Sequence, residues 1–309
     1  MQSTCLKAFV SILLVLSAIG LSWGAGTNSY QFLKIGTIAR SSGMGGAFVA
    51  VSDDEAALYY NPSGLAGIKR PAFIASYINY VIDLQSGFLG YLRPVDEKST
   101  LGASLTYFSH GDFMETNQLG DTLGTFGASD LSFNLSYAKA VSSQLNLGAT
   151  GKVVYERIQD EFGYGLALDL GGIYTLKDGR TKIGAVIQNL GPEIQAIGEE
   201  KGGLPTSFKL GISHVLKGSG ILFSGEADFP LEDRVIFNVG AEANQVRPLV
   251  LRVGYSTLAS DLKTGEKDDW AGLGFGVGFL LEQFKFDYAY SSFAALGSIH
   301  RITLAWSLE

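Results

Sequence analysis

The chain has 309 residues, of which 46% are hydrophobic and 40 are glycine, and a formal net charge of −7. A positive mean hydropathy of +0.19 with 17% charged residues suits neither a disordered chain nor an ordinary soluble enzyme, and an acidic balance without a basic cluster excludes a nucleic-acid footprint. The single cysteine, Cys5, falls in the leader described next, which excludes a disulfide, a thiolate metal site and a cysteine nucleophile from the mature chain.

Residues 1–24 read as a signal peptide. Lys7 gives a weakly basic start, Ala8 to Leu21 an apolar core, and Ser22-Trp23-Gly24 a small-x-small site with cleavage before Ala25. A retained anchor is the competing reading, but the core is short for a membrane span. Cys5 precedes that core, which argues against a lipoprotein anchor.

Residues 25–70 do not alternate like the rest of the chain and read as a small N-terminal hatch or plug. Gly43, Gly45 and Gly46 let backbone approach backbone. Ser52 and Glu55 stand three apart before an apolar run, the spacing of a capping box, which predicts a short helix near Asp53–Tyr60. Pro62 and Gly64 then force a stop and a turn after Asn61. Asn61, Asp53 and Asp54 are candidates to pin the hatch to its surroundings by hydrogen bonds. The plainer reading of the two acids is that they sit at a helix start and complement its dipole.

Residues 71–309 read as an all-β unit, an antiparallel transmembrane β-barrel of about fourteen strands. Candidate strands run 71–81, 84–95, 99–109, 128–141, 144–157, 164–176, 181–190, 206–216, 220–229, 235–244, 249–256, 270–280, 283–290 and 298–308. The clearest is Trp270–Leu280, where Ala271, Leu273, Phe275, Val277 and Phe279 alternate with Gly272, Gly274, Gly276 and Gly278. Side chains of a strand point alternately to its two faces, so the bulky face meets lipid and the bare face meets a lumen or a plug. The same argument turns Leu131, Phe133, Leu135 and Tyr137 to lipid, with Tyr and Trp near strand ends as interface girdles.

On the opposite faces lie Lys152, Glu156, Asp169, Lys182, Lys209, Glu226, Asp228, Glu242, Arg252, Lys285, Asp287 and Arg301. Charge on the lipid face is costly at mid-membrane, which places these in the lumen. Their balanced signs fit mutual pairing around a plug, and a substrate path through them is the alternative. Alternate links are short, such as 96–98 and 142–143, whereas 110–127, 191–205 and 257–269 are long. Short periplasmic turns and long extracellular loops put both termini in the periplasm of a bacterial outer membrane.

Other signals are weaker. Gly272-x-Gly274-x-Gly276 lies inside a strand with no following helix, unlike a dinucleotide site. Asp261, Glu266, Asp268 and Asp269 share one loop without the spacing of a calcium loop. His110, His214 and His300 form no triad or metal pattern, so neither an enzyme nor a cofactor is expected.

The hatch sequence carries a resemblance. Gly43-Met44-Gly45-Gly46-Ala47, Ser52-Asp53-Asp54 and Asn61-Pro62-Ser63-Gly64-Leu65-Ala66 resemble the hatch motif of the FadL-type outer-membrane barrels. Gly184 to Gly191, Leu204-Pro205-Thr206 and Leu296 to Leu304 are similar to its shorter PorV/PorQ-type branch. The resemblance implies fourteen strands, an N-terminal hatch, and one of two roles. One is passage of small hydrophobic molecules, fatty-acid or hydrocarbon-like, that leave sideways into the membrane. The other is partnership with proteins of a type IX secretion or surface-attachment system. The terminal Trp306-Ser307-Leu308-Glu309 departs from the closing aromatic common in such barrels, with Trp306 three places early.

Overall fold

The computed structural model of the chain describes residues 29–80, 84–117, 119–198, 201–262, 270–293 and 297–308. The expected leader and the acidic loop residues Glu266, Asp268 and Asp269 lie outside the described residues.

The strands are β1 (Ala72–Asn79), β2 (Gln85–Pro94), β3 (Ser99–Thr116), β4 (Thr122–Ala140), β5 (Leu145–Ile158), β6 (Glu161–Thr175), β7 (Thr181–Leu190), β8 (Glu193–Gln195), β9 (Ser207–Val215), β10 (Leu222–Pro230), β11 (Ile236–Ala243), β12 (Leu249–Ser256), β13 (Leu273–Leu281), β14 (Phe284–Ser292) and β15 (Ser298–Ser307). Each pairs antiparallel with its neighbour in sequence, except that β8 caps the edge of β6 and β7 pairs onward with β9. Pairing of β1 with β15 closes the ring, giving a closed barrel of fourteen antiparallel strands with β8 as an appendage. Closure leaves the ring no unpaired edge, as a lipid-exposed sheet requires.

Alternation fixes which way each strand faces. On β4, Phe133, Leu135 and Tyr137 are exposed while Ser132, Asn134 and Ser136 are buried. On β13, Phe275 and Phe279 are exposed, and Gly274, Gly276 and Gly278 turn to the lumen. Aromatic rings gather on the outer face at the short-turn end. Phe284 stacks on Trp306 at 5.8 Å between centroids, and Phe73 lies beside both Tyr91 and Trp306. Amphipathic rings of this kind suit a membrane interface.

The apolar core lies inside the ring, where a transmembrane barrel of this width has room for it. Residues 29–70 occupy the lumen as irregular chain with short turns of helix at Gln31–Lys34, Ala39–Gly43, Ala57–Tyr60 and Pro62–Leu65. Met44, Phe48, Leu58, Tyr60 and Leu65 pack with the inward residues Ala72, Ile74, Phe88 and Leu92 of β1 and β2. Small residues on the inner wall make the space. A Cβ at Gly148 would strike Pro62 and Ser63, one at Gly171 would strike Asn61, and one at Gly254 would strike Met44 and Gly45.

Four sequence expectations are corrected. The capping box does not form. The helix starts at Ala56–Ala57 without a side-chain cap, the Ser52 hydroxyl turns to Asp53, and Glu55 reaches Lys285 of the wall at 2.7 Å. Lumen lysines outcompete the local backbone for these groups. The link 110–127 is mostly strand, because β3 runs on to Thr116 and β4 begins at Thr122 across an irregularity between Ser109 and Asp112. His110 therefore stands on a strand. The link 191–205 contains β8, paired with Tyr164 and Gly165. Finally, β13 starts at Leu273, since Gly272 adopts φ 88° and Ala271 is buried instead of facing lipid.

Candidate functional site

The inner wall and residues 29–70 meet through a chain of charges. Arg40, on the helical turn Ala39–Gly43, donates Nε and Nη2 to the Glu242 carboxylate at 2.8 and 2.7 Å and Nη1 to Asp54 at 2.5 Å. Glu242 on β11 also accepts from Arg252 Nε at 2.6 Å, and Arg252 Nη1 donates to Asp287 at 2.6 Å. The sheet register dictates this. Arg252 stands opposite Glu242 on one side and Gly276 on the other, so glycine leaves its guanidinium free to reach across to Asp287, which pairs with Gly278. Lys285 Nζ adds Glu55 at 2.7 Å and Asp54 at 3.6 Å. Burial pushes the Asp54 carboxyl up, but Arg40 and Lys285 outweigh it and hold that group well below the usual carboxylate range.

Backbone polar groups of the lumen segment find partners in the wall. Glu226 on β10 accepts the amides of Phe48 and Val49, both at 2.9 Å, and Ser213 donates to the Ala50 carbonyl at 2.8 Å. Gln188 Nε2 donates to the carbonyls of Tyr59 and Tyr60 at 3.0 and 3.1 Å. Ser76 donates to Thr37, and the Thr303 hydroxyl accepts from the Ala39 amide. Irregular backbone shielded from water must be satisfied in this way.

Each predicted residue can now be located. Gly43 lies against Gly276, and Gly45 and Gly46 take positive φ of 66° and 88°, with Gly45 pressed on the Tyr255 backbone. Asp53 also has positive φ and meets Lys182 at 3.0 Å. Asn61 ties the segment both to itself and to the wall: its Nδ2 donates to the Val49 carbonyl at 2.8 Å and to the Ala185 carbonyl of β7 at 3.5 Å, and its Oδ1 accepts from the Ser63 amide and hydroxyl. Pro62 opens the turn Pro62–Leu65 that Gly64 completes. Lys152 pairs with Asp169 at 2.7 Å, Lys209 with Asp228 at 3.1 Å, and Glu156 accepts from the Tyr30 amide. Arg301 Nε donates to the Gly36 carbonyl at 2.8 Å.

Several members were not anticipated. Arg40 lies just ahead of the Gly43–Ala47 motif, and its bidentate hold on Glu242 depends on a strand 202 residues further along the chain. Gln188 and Asn189 carry no charge to betray an inward role. Asp130 was legible, since it precedes the lipid-facing Leu131; it meets His110 at 2.8 Å.

A cavity of about 160 Å³ lies between this filled lumen and the end of the barrel that carries the long connections. Tyr59, Tyr60, Phe293 and Pro205 give it apolar surface, while Lys209 and Arg301 stand in its wall. Beside it, β7 leaves β6 at an irregularity between Leu168 and Leu170, where Asn189 takes φ 58° and bonds to the Pro205 carbonyl. Among the described residues no cluster of acids and histidines has the geometry to hold a metal ion.

Comparison with known proteins gives both fold relatives and a family. The Ralstonia pickettii toluene transporter TbuX matches with a TM-score of 0.63 at 15% identity, over 89% of this chain and 99% of that one. The Pseudomonas putida toluene transporter TodX gives 0.62 at 14% identity, over 87% and 96%. The CymD monoaromatic hydrocarbon channel gives 0.62 at 15%, over 89% and 98%. Such identities establish a shared fold. A search of curated proteins returned no match. A family model described as type IX secretion system protein PorV matches residues 24–217, well over half the sequence. On that match, the chain belongs to the PorV family.

Proposed function

We propose that the protein is an outer-membrane channel for small hydrophobic solutes, with residues 25–70 as its hatch and the cavity above the hatch as its binding pocket. The long connections face outward and both termini face the periplasm. The cavity carries this reading. An apolar cavity of about 150 Å³ suffices for a benzene ring, and this one offers about 160 Å³ bordered by Tyr59, Tyr60 and Phe293. A lumen packed with polypeptide forbids straight diffusion, so a solute leaves the cavity where backbone pairing is already interrupted, beside Asn189 and Pro205. The fold relatives are named as toluene transporters and a monoaromatic hydrocarbon channel, which supports the same class of solute. The test is uptake of labelled toluene by bacteria with a lipopolysaccharide-bearing outer membrane, with and without the protein. Faster uptake is expected, abolished by Ser292→Trp at the cavity wall; equal rates with folded protein present would refute the reading.

A second reading is favoured by the family match, whose description is a type IX secretion protein. In it the barrel is a partner of secretion components. The β3–β4 hairpin, with Phe113, Met114 and Leu123 exposed, offers a docking surface at the same end as the cavity. Co-purification of secretion components that is lost when Met114 and Leu123 become Ser would favour it over transport.

A further inference from the structure

Arg301 differs from the other inward cations. Lys152, Lys182, Lys209, Arg252 and Lys285 each meet a carboxylate. Arg301, on β15, meets none among the described residues. Its Nε donates to the Gly36 carbonyl and its Nη1 to the Ser291 hydroxyl at 3.0 Å. A guanidinium carries five N–H donors, so donors stay available beyond those two bonds. The residue is only 5% exposed and borders the cavity. An inward charge held in the membrane without a counter-ion is costly, and such residues commonly mark a ligand path.

The other charges around the cavity are already answered. Lys209 faces Asp228, Lys34 faces Asp233 at 3.5 Å, and Glu226 holds two backbone amides. Among the described residues, a ligand entering from the long-connection end therefore meets aromatic surface and one positive charge without a carboxylate partner.

We infer that the cavity receives a small organic carboxylate, its carboxylate seated on Arg301 and its apolar body against Tyr59, Tyr60 and Phe293. This rests on the channel reading above and assigns its pocket a preferred charge. Guanidinium and carboxylate match in shape, and the charge-assisted bond is stronger than any the neutral amide of the same size can make. The volume of about 160 Å³ fits a benzoate-sized ligand and is too small for a long acyl chain.

The experiment is calorimetric titration of the full, detergent-purified chain with benzoate, benzamide and toluene at pH 7. Benzoate is expected to bind roughly tenfold to a hundredfold more tightly than benzamide. Arg301→Gln should bring benzoate down to the benzamide level, and Arg301→Lys should keep part of the preference. Because Arg301 also holds Gly36, each variant is first checked for the heat-modifiable electrophoretic shift of a folded barrel. Should Arg301→Gln fail to fold, the benzoate to benzamide ratio of the unaltered protein decides the matter alone. Equal affinities for the two, with toluene bound, would overturn the inference and leave the channel reading standing. Failure of all three to bind would overturn both.

Discussion

Arg40 holds the lumen segment and the wall together through one side chain. It joins Asp54 of the segment to Glu242 of β11, and Glu242 shares its charge with Arg252. Removing one member of a buried ion cluster strands the others, which typically costs about 3–5 kcal/mol. Arg40→Met should therefore loosen the segment while leaving the ring closed, read as a lower unfolding midpoint in urea together with higher single-channel conductance in a planar bilayer. Asp54 makes a pH-dependent contribution whose sign follows from its depressed carboxyl. The folded state favours the ionised form, so the stabilisation is complete above the usual carboxylate range and disappears as pH falls through the lower folded value. The difference in thermal midpoint between the protein and Asp54→Asn should be constant from pH 7 to about pH 5 and shrink in stronger acid. A difference that grew on acidification would contradict the pairing with Arg40 and Lys285.

At the scale of an element, a strand of this wall reads two environments at once, and β5 shows both. Gly148 faces the lumen, where a Cβ would strike Pro62 and Ser63, whereas Gly151 faces outward with open space around it. Gly148→Val should block docking of the turn Pro62–Leu65 and lower the yield of folded barrel, while Gly151→Val should be tolerated. Limited proteolysis of the segment and the heat-modifiable shift report the two outcomes. This two-faced grammar explains what was legible in the sequence. Alternation in β4, β13 and β15 set the strands, their facing and the inward charges, because period two is a local property of the chain. The capping box failed because Ser52 and Glu55 have stronger long-range partners in Lys182 and Lys285 than in the nearby backbone. The length of the β3–β4 hairpin was missed because Asp112 and Glu115 interrupt its apolar alternation toward the hairpin tip. Arg40's partners were illegible for a different reason, since the register that brings Glu242 and Arg252 together is set only when the ring closes.

For the whole molecule, the barrel inverts the usual order of a folded protein. Apolar side chains cover the outside, and the lumen holds both an apolar core and a connected set of charges. That arrangement sets the occupied lumen against a cavity at one end, flanked by aromatic rings, Arg301 and a wall whose strand pairing is interrupted at β6–β7. On the channel reading, the filled lumen turns a small solute from the cavity toward the interrupted β6–β7 pairing. The family match raises partnership in secretion as the rival use of the same surface. The most direct discriminating measurement is a crystal structure of the protein soaked with bromobenzene, with bromine located by its anomalous signal. A peak between Tyr59, Tyr60 and Phe293 is the expected result. Bromine found solely on the lipid-facing wall, with that cavity empty at saturating ligand, would contradict the channel account.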